Sequence, residues 1–145
     1  MGFSVSGGAA IVFAGLLLAF GMWSTATANT VERVNEAEAA RTDGVLEQQN
    51  TAVEITGATW NGTHLIVDVD NAGAAQLRLS TTDLLIDGAY ESDWTGNASV
   101  AGDAGTDLWL SGETATIELG LDGQPDRVTV VAASGVSDTA EVTVP

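Results

Sequence analysis

The 145-residue sequence contains no cysteine and no lysine, and it has one histidine, His64. Without cysteine the chain has no disulfide, no thiolate nucleophile and no sulfur ligand for a metal. His64 has no His or Cys partner for a metal site or a catalytic triad, and no glycine-rich phosphate loop is present. We therefore expect a binding or structural protein that is not an enzyme and that carries no cofactor and no metal.

Positive charge is scarce as well. The sequence has four arginines and twenty Asp and Glu residues, which gives a formal net charge of −16. Phosphate backbones repel such a chain, so nucleic acid is excluded as a partner. A disordered acidic tail is excluded too, because 45% of the residues are hydrophobic. Molar salt shortens the Debye length to about 3 Å and screens this charge, so the composition indicates a salt-loving source.

The first 31 residues carry no charged side chain. Within them the 19 residues 5–23 would span about 28 Å as a helix, close to the roughly 30 Å of a bilayer core. We predict a transmembrane anchor in residues 1–29, with the β domain outside the cell. The anchoring side chains are Val5, Ile11, Val12, Phe13, Leu16, Leu17, Leu18, Phe20 and Trp23.

A cleaved secretory signal is the alternative for the same segment. The small residues Ala26, Thr27 and Ala28 fit a cleavage site. Residues 1–4 lack the positively charged start of a signal peptide, however, which favours a retained anchor.

Residues 30–49 are rich in Ala, Glu, Gln and Arg, which favour helix. We predict a helical stalk that Gly44 kinks or ends. Val31, Val34, Ala37 and Val45 form an apolar stripe that is too narrow for a core face. The stripe either self-associates or packs on the chain's own domain.

Residues 50–145 change to the alternation that is typical of β-strands. One predicted strand has its apolar side chains at positions 65, 67 and 69, and another at 115, 117 and 119. Asn61-Gly62 and Asp87-Gly88 are strong hairpin signals. Seven or eight short strands between turns predict an all-β, immunoglobulin-like sandwich. The turn-rich residues 90–108 are predicted to form a long functional or mobile loop.

Few residues of this domain are candidates for a site. Tyr90 and Trp94 in the long loop are candidate partner contacts, although core packing is the commoner fate of tryptophan. Asn61 and Asn97 begin glycosylation sequons. The segment 103–107 has the acid and glycine spacing of a loose calcium loop, but a solvated acidic loop explains it better.

Several segments together resemble the FlaF (ArlF) family of the archaeal flagellum, the archaellum. They are GFSVSG at residues 2–7, the tract 69–90, the segment 107–113 and the strand 127–131. The resemblance covers nearly the whole chain. The acidic composition suits a haloarchaeal member.

The resemblance implies a type IV pilin-like layout and a stator role. Family members have one membrane helix and an outer β-sandwich that binds the S-layer protein and works with the related FlaG (ArlG) in the motor complex. Self-association as a homodimer is also implied. The expected location is the cell membrane, with the β domain beneath the S-layer and lipid around the helix. A filament-forming, pilin-like or archaellin-like subunit is the alternative, and the absence of a basic leader in residues 1–4 counts against it.

Overall fold

A single α-helix, α1, runs without interruption over Gly2–Asn50. The computed structural model describes residues 2–145, with side chains described for residues 7–24 and 30–145. Gly44 neither ends nor interrupts the helix. Its apolar part, Gly7–Ser24, has a mean hydropathy of 1.8 and is long enough to cross a membrane. The chain forms two compact units, Met1–Asp43 and Gly44–Pro145.

Ten short strands follow the helix in the described residues. In chain order they are β1 (Val53–Trp60), β2 (His64–Asn71), β3 (Leu77–Arg78), β4 (Asp83–Ile86), β5 (Ala89–Glu91), β6 (Ala98–Val100), β7 (Leu108–Trp109), β8 (Thr114–Gly120), β9 (Arg127–Val131) and β10 (Ser137–Glu141). One sheet has the order β1-β2-β8-β6, a second has the order β10-β9-β4-β5, and β3 pairs with β7. All pairs of named strands are antiparallel. The predicted helix followed by a β-sandwich is confirmed.

The two sheets share one apolar core. Leu65, Val67 and Val69 of β2 are fully buried, as the alternation predicts, and the inward side chains of β8 are buried beside them. Leu84 of β4 and Val128 of β9 belong to the same cluster from the second sheet. Alternate residues of β2, β8, β4 and β9 therefore fill the space between the sheets, and the residues between them point outward.

A bulge in β1 moves its inward side chains from odd to even positions. Val53 and Ile55 face the core before the bulge, which lies between Ile55 and Gly57. After it, Ala58 and Trp60 are the buried residues. The extra residue of a bulge shifts the two-residue period, and Trp60 thereby enters the core.

The long segment 90–108 is not a loop, and that prediction is wrong. It contains most of β5, a 3₁₀ turn at Thr95–Asn97, the whole of β6 and the start of β7. Strands of two or three residues leave too few alternating positions to be recognised from sequence.

Two turns place consecutive residues in the left-handed backbone region. Asp87 and Gly88, with φ of 52° and 82°, join β4 to β5 as the sequence predicts. Ala101 and Gly102, with φ of 50° and 85°, form a second such turn. It is closed by backbone hydrogen bonds of 3.0 and 2.9 Å between Val100 and Asp103.

Replacing Ala101 by glycine is expected to stabilise the β domain by about 0.5–1 kcal/mol. An L side chain in the left-handed region costs roughly 1–2 kcal/mol, and the greater unfolded-state freedom of glycine cancels part of the gain. Urea unfolding of residues 44–145 measures the change. The matched control is Ala104→Gly in the same segment, where φ is not positive. There the same substitution is expected to destabilise, so equal effects at the two positions would contradict the explanation.

Candidate functional surfaces

The apolar part of α1 is exposed on every side. Each predicted anchoring side chain from Ile11 to Trp23 is between 59% and 76% exposed. Val5 lies outside the residues whose side chains are described. An all-round apolar helix needs an apolar environment such as lipid or other helices, because water would hydrate this surface unfavourably.

The last turn of α1 is bound to the turn that follows β2. The carbonyl of Asn50 accepts hydrogen bonds from the N–H groups of Ala74 and Ala75, at 2.8 and 2.9 Å. The hydroxyl of Thr51 donates to the carbonyl of Glu47 at 2.8 Å. Carbonyls at the end of a helix have no partner within the helix, and here the β domain supplies one. We call residues 47–52 and 71–75 the joint.

Gly73 allows the two parts of the joint to approach. A Cβ atom on Gly73 would lie 2.4 Å from the carbonyl oxygen of Asn50 and 2.5 Å from the nitrogen of Ala52. Its N–H donates to the carbonyl of Ala52, and its carbonyl accepts from the hydroxyl of Ser111. Only a residue without a side chain fits here.

Asn71 connects the joint to strand β7 from within the core. The side chain is fully buried, and its amide donates to the carbonyls of Ala75 and Trp109 at 2.9 and 3.1 Å. Its Oδ1 accepts from the N–H of Gly73 at 3.2 Å. A buried amide whose donors and acceptor are all engaged fixes one local geometry.

Of the two candidate partner contacts, Tyr90 is exposed. It is 64% accessible and lies opposite Leu85 in the pairing of β5 with β4. Leu85 in turn is opposite Thr129, and Thr129 is opposite Thr139. These four residues form an uncharged row across the outer face of the second sheet, which we call the Tyr90 row.

Trp94 is not available to a partner, and its assignment as a contact is wrong. Its side chain is 2% exposed and belongs to the core. A hydrogen bond from the N–H of Asn97 to its carbonyl, at 2.9 Å, closes a 3₁₀ turn at this point. Trp60 and Trp109 are buried too, so the apolar area of all three tryptophans stabilises the fold.

The outer face of the first sheet is acidic. Glu54 lies opposite Asp70, and Asp68 and Glu118 belong to the same face. Asp68 and Asp70 accept hydrogen bonds of 2.7 and 2.6 Å from threonine hydroxyls of β8. These bonds give both carboxylates a structural role. In the described part of the chain no group of three His, Cys, Asp or Glu side chains could hold a metal ion.

The two carboxylates of the candidate calcium loop, Asp103 and Asp107, accept hydrogen bonds from backbone N–H groups. Asp107 accepts from the backbone N–H and the hydroxyl of Ser80 at 2.7 and 2.9 Å, and it pairs with Arg78 at 3.3 Å. The Ser80 hydrogen bonds, with Arg78, hold the pKa of this carboxyl below its ordinary value of 3.8. Asp103 accepts from the N–H of Gly105 at 2.8 Å. The two carboxylates thus have separate protein partners.

Both sequon asparagines lie on the surface. Asn61 caps the β1–β2 turn, where its Oδ1 accepts from the N–H groups of Thr63 and His64 at 3.1 and 2.8 Å. Asn97 is exposed and lines a shallow depression with His64. Both asparagines are therefore accessible to glycosylation, and their glycosylation stays a prediction.

Comparison with known proteins gives structural similarity only. No protein-family model matches the chain, and no curated protein does so by sequence. One similar structure is the archaellum periplasmic stator protein FlaG from Sulfolobus acidocaldarius, with 13% identity, 62% of this chain and 97% of that chain covered, and a TM-score of 0.42. Another is the archaellum periplasmic stator protein complex FlaF and FlaG from the same organism, with 15% identity, 62% and 87% covered, and a TM-score of 0.39. Similarity at this level assigns no function to this chain.

Proposed function

We propose that the chain is a non-enzymatic stator component of an archaellum motor, anchored in the membrane by the apolar part of α1. The sequence resemblance to the FlaF family over nearly the whole chain suggests this class. The joint is the observation that carries the proposal furthest. A stator has to resist torque, so the connection between its anchor and its outer domain must be rigid.

Within residues 44–145 the joint holds the last turn of α1 to the β domain in three ways. The carbonyl of Asn50 is held by two backbone N–H groups. Gly73 brings backbone into direct contact with backbone, and Asn71 ties the same turn to Trp109. A flexible linker of several residues between helix and sandwich would transmit little torque, and none is present at residues 50–53.

The proposed partners are the S-layer protein and a FlaG-type subunit of the motor. The Tyr90 row is the proposed contact for the S-layer protein, because it is uncharged on a chain whose other outer sheet face is acidic. Proteins of a salt-loving source are rich in acidic residues, so we expect the S-layer partner to be acidic. Such a partner would be repelled least at this uncharged row. Tyr90 supplies the exposed aromatic side chain that often anchors protein interfaces.

Binding of the detergent-solubilised full chain to purified S-layer protein at molar salt tests the proposal. Saturable binding by the unmodified chain supports the stator function, and its absence contradicts it. Tyr90→Ala is expected to weaken binding about tenfold, the loss typical of a modest interface anchor. Val144→Ala is the matched control, since Val144 is also apolar, is 60% exposed and lies outside the row. Equal affinities of the two variants would place the contact elsewhere on the domain.

A further inference from the structure

The two four-stranded sheets have four edge strands, β1 and β6 in the first sheet and β10 and β5 in the second. An edge strand has backbone N–H and C=O groups that no neighbouring strand uses, so it can bind an extended strand of another protein. The edges of β1, β10 and β6 are closed by hydrogen bonds within the described chain, whereas that of β5 is not.

β1 and β10 lie along each other and close each other's edges. The N–H of Trp60 donates to the carbonyl of Thr143, just after β10, at 2.8 Å, and the N–H of Thr143 donates to the carbonyl of Ala58 at 3.0 Å. Nearer the start of β1, the carboxylate of Asp138 in β10 accepts from the N–H of Ile55 at 2.8 Å. A partner strand would have to break these bonds before it could pair with either edge.

The edge of β6 is closed by the turns at its two ends. The N–H and the carbonyl of Val100 exchange hydrogen bonds of 3.0 and 2.9 Å with Asp103. The N–H of Ala98 donates to the carbonyl of Thr95 in the preceding 3₁₀ turn. Both residues of β6 therefore have partners on the side away from β8.

The hydrogen bonds of β4 show which backbone groups of β5 are free. In an antiparallel pair, the residues that exchange hydrogen bonds alternate with residues that do not. The N–H of Asp87 donates to the carbonyl of Arg127 at 3.0 Å, so Leu85, two residues earlier, also bonds toward β9. Leu84 and Ile86 therefore bond toward β5.

Tyr90 is the residue of β5 whose backbone has no partner in the described chain. The residues paired with Leu84 and Ile86 are Glu91 and Ala89, whose N–H and C=O groups bond to β4. Tyr90 lies between them, so its N–H and C=O point to the free side of the sheet. No bulge interrupts the pairing of β5 and no proline lies in it, although both devices commonly protect an edge.

The free edge is continuous with the Tyr90 row. A residue of an added strand that pairs with Tyr90 lies on the same face of the sheet as the Tyr90 side chain, so it would extend the row by one position. The carboxylate of Asp87, in the turn before β5, is held toward β9, because it accepts from the N–H groups of Asp126 and Arg127, both at 2.9 Å. The edge therefore fits an extended segment with an uncharged side chain opposite Tyr90.

We infer that the S-layer partner binds by adding one extended, uncharged strand to β5, with its backbone bonded to the N–H and C=O of Tyr90. The inference rests on the proposed function, because it takes the S-layer protein as the partner and the Tyr90 row as the contact. The two backbone hydrogen bonds set the register of the added strand, and contacts of its alternate side chains with the row supply specificity.

Hydrogen exchange of single amides tests the inference in the detergent-solubilised full chain, with and without purified S-layer protein at molar salt. In the free chain the Tyr90 amide is expected to exchange fast, because it has no acceptor. In the complex its exchange is expected to slow about tenfold or more. The amides of Ala89 and Glu91 are the internal controls, since both already bond to β4 and are expected to stay protected in both states.

Two substitutions at Tyr90 separate its backbone from its side chain. Tyr90→Ala removes the ring and keeps the N–H, whereas Tyr90→Pro removes both. Proline is tolerated in an edge strand where the N–H faces outward, and unchanged protection of Ala89 and Glu91 would show that the fold is kept. We expect Tyr90→Pro to bind the S-layer protein about tenfold more weakly than Tyr90→Ala. If Ala89 and Glu91 lose protection in the proline variant, exchange of Tyr90 in the natural chain decides alone.

Binding of the S-layer protein with equally fast Tyr90 exchange in the free and bound chains would overturn the inference and leave the stator function in place. Equal affinities of folded Tyr90→Pro and Tyr90→Ala variants would do the same. A Tyr90 amide already protected in the free chain would also overturn it, because the edge would then be occupied. Absence of any binding would contradict the proposed function itself and, with it, this inference.

Discussion

Replacing Gly73 by alanine is expected to destabilise the β domain by about 3 kcal/mol and to loosen the helix end. The added Cβ would lie 2.4 Å from the carbonyl oxygen of Asn50, and that oxygen belongs to backbone that cannot rotate away. Relief requires the last turn of α1 to move off the turn after β2. Overpacking against a fixed neighbour typically costs 1–3 kcal/mol, and here a side-chain shift offers no escape.

Two measurements on residues 44–145 check this expectation. Urea unfolding gives the loss of stability. Amide hydrogen exchange of Ala74 and Ala75 reports on the joint itself, because their N–H groups donate to Asn50. We expect both amides to lose most of their protection in the variant.

Gly123→Ala provides the comparison for Gly73→Ala. Gly123 has open space around the position of a Cβ and no positive φ. This substitution is expected to change stability by less than about 0.5 kcal/mol, as most surface changes do. A destabilisation equal to that of Gly73→Ala, or unchanged exchange at Ala74 and Ala75 in the Gly73 variant, would show that the close approach is unimportant.

The strands with long, regular alternation could be predicted from sequence. Leu65, Val67 and Val69 lie inward as expected, because an eight-residue strand gives several repeats of the two-residue period. The Asp87-Gly88 turn was equally predictable, since both residue types tolerate the left-handed region. The turn at Ala101 was not, because alanine disfavours that region and gives no signal there.

The misassigned Trp94 shows where local sequence is insufficient. A glycine-rich stretch around a tryptophan is compatible with an exposed loop and with a tightly packed turn. The choice depends on β6 pairing with β8, a contact between residues far apart in sequence. Once that pairing forms, burying the indole of Trp94 removes a large apolar area from water.

The joint could not be predicted for a related reason. Asn71-Ala72-Gly73 has the composition of an ordinary turn, and nothing local indicates that a helix ends against it. One partner of the Asn71 side chain is the backbone carbonyl of Trp109 in β7, which is 38 residues away in the sequence. A buried asparagine is recognisable only when its distant partners are known.

Replacing Asn71 by aspartate is expected to lower the free energy of unfolding by about 4 kcal/mol or more near neutral pH, a larger loss than that expected for Gly73→Ala. The side-chain amide donates to two carbonyls, of Ala75 and Trp109, and a carboxylate in its place would direct negative charge at both. Burying an unpaired charge is among the most costly single changes, and two acceptors would also lose their donor.

The pH dependence of this loss distinguishes it from a simple loss of packing. Burial and the facing carbonyls disfavour the charged form, so the pKa of the introduced carboxyl is raised in the folded state. The pKa of this carboxyl is then higher in the folded chain than in the unfolded chain. At a pH between these two values the unfolded chain binds fewer protons than the folded chain, so the variant loses stability as the pH rises through this range. We expect the difference from the natural chain to be smallest at about pH 4 and to grow toward pH 7 in urea unfolding of residues 44–145.

Asn97→Asp separates burial from the chemistry of the substitution. Asn97 is exposed, so the same change there is expected to cost less than about 0.5 kcal/mol at either pH. A loss at Asn71 that does not vary with pH would mean that the carboxylate escapes to solvent by opening the joint. Increased hydrogen exchange at Ala74 and Ala75 would identify that opening. If Asn71→Asp instead had the stability of the natural chain with both amides still protected, the amide network of Asn71 would not be what fixes the helix to the sandwich.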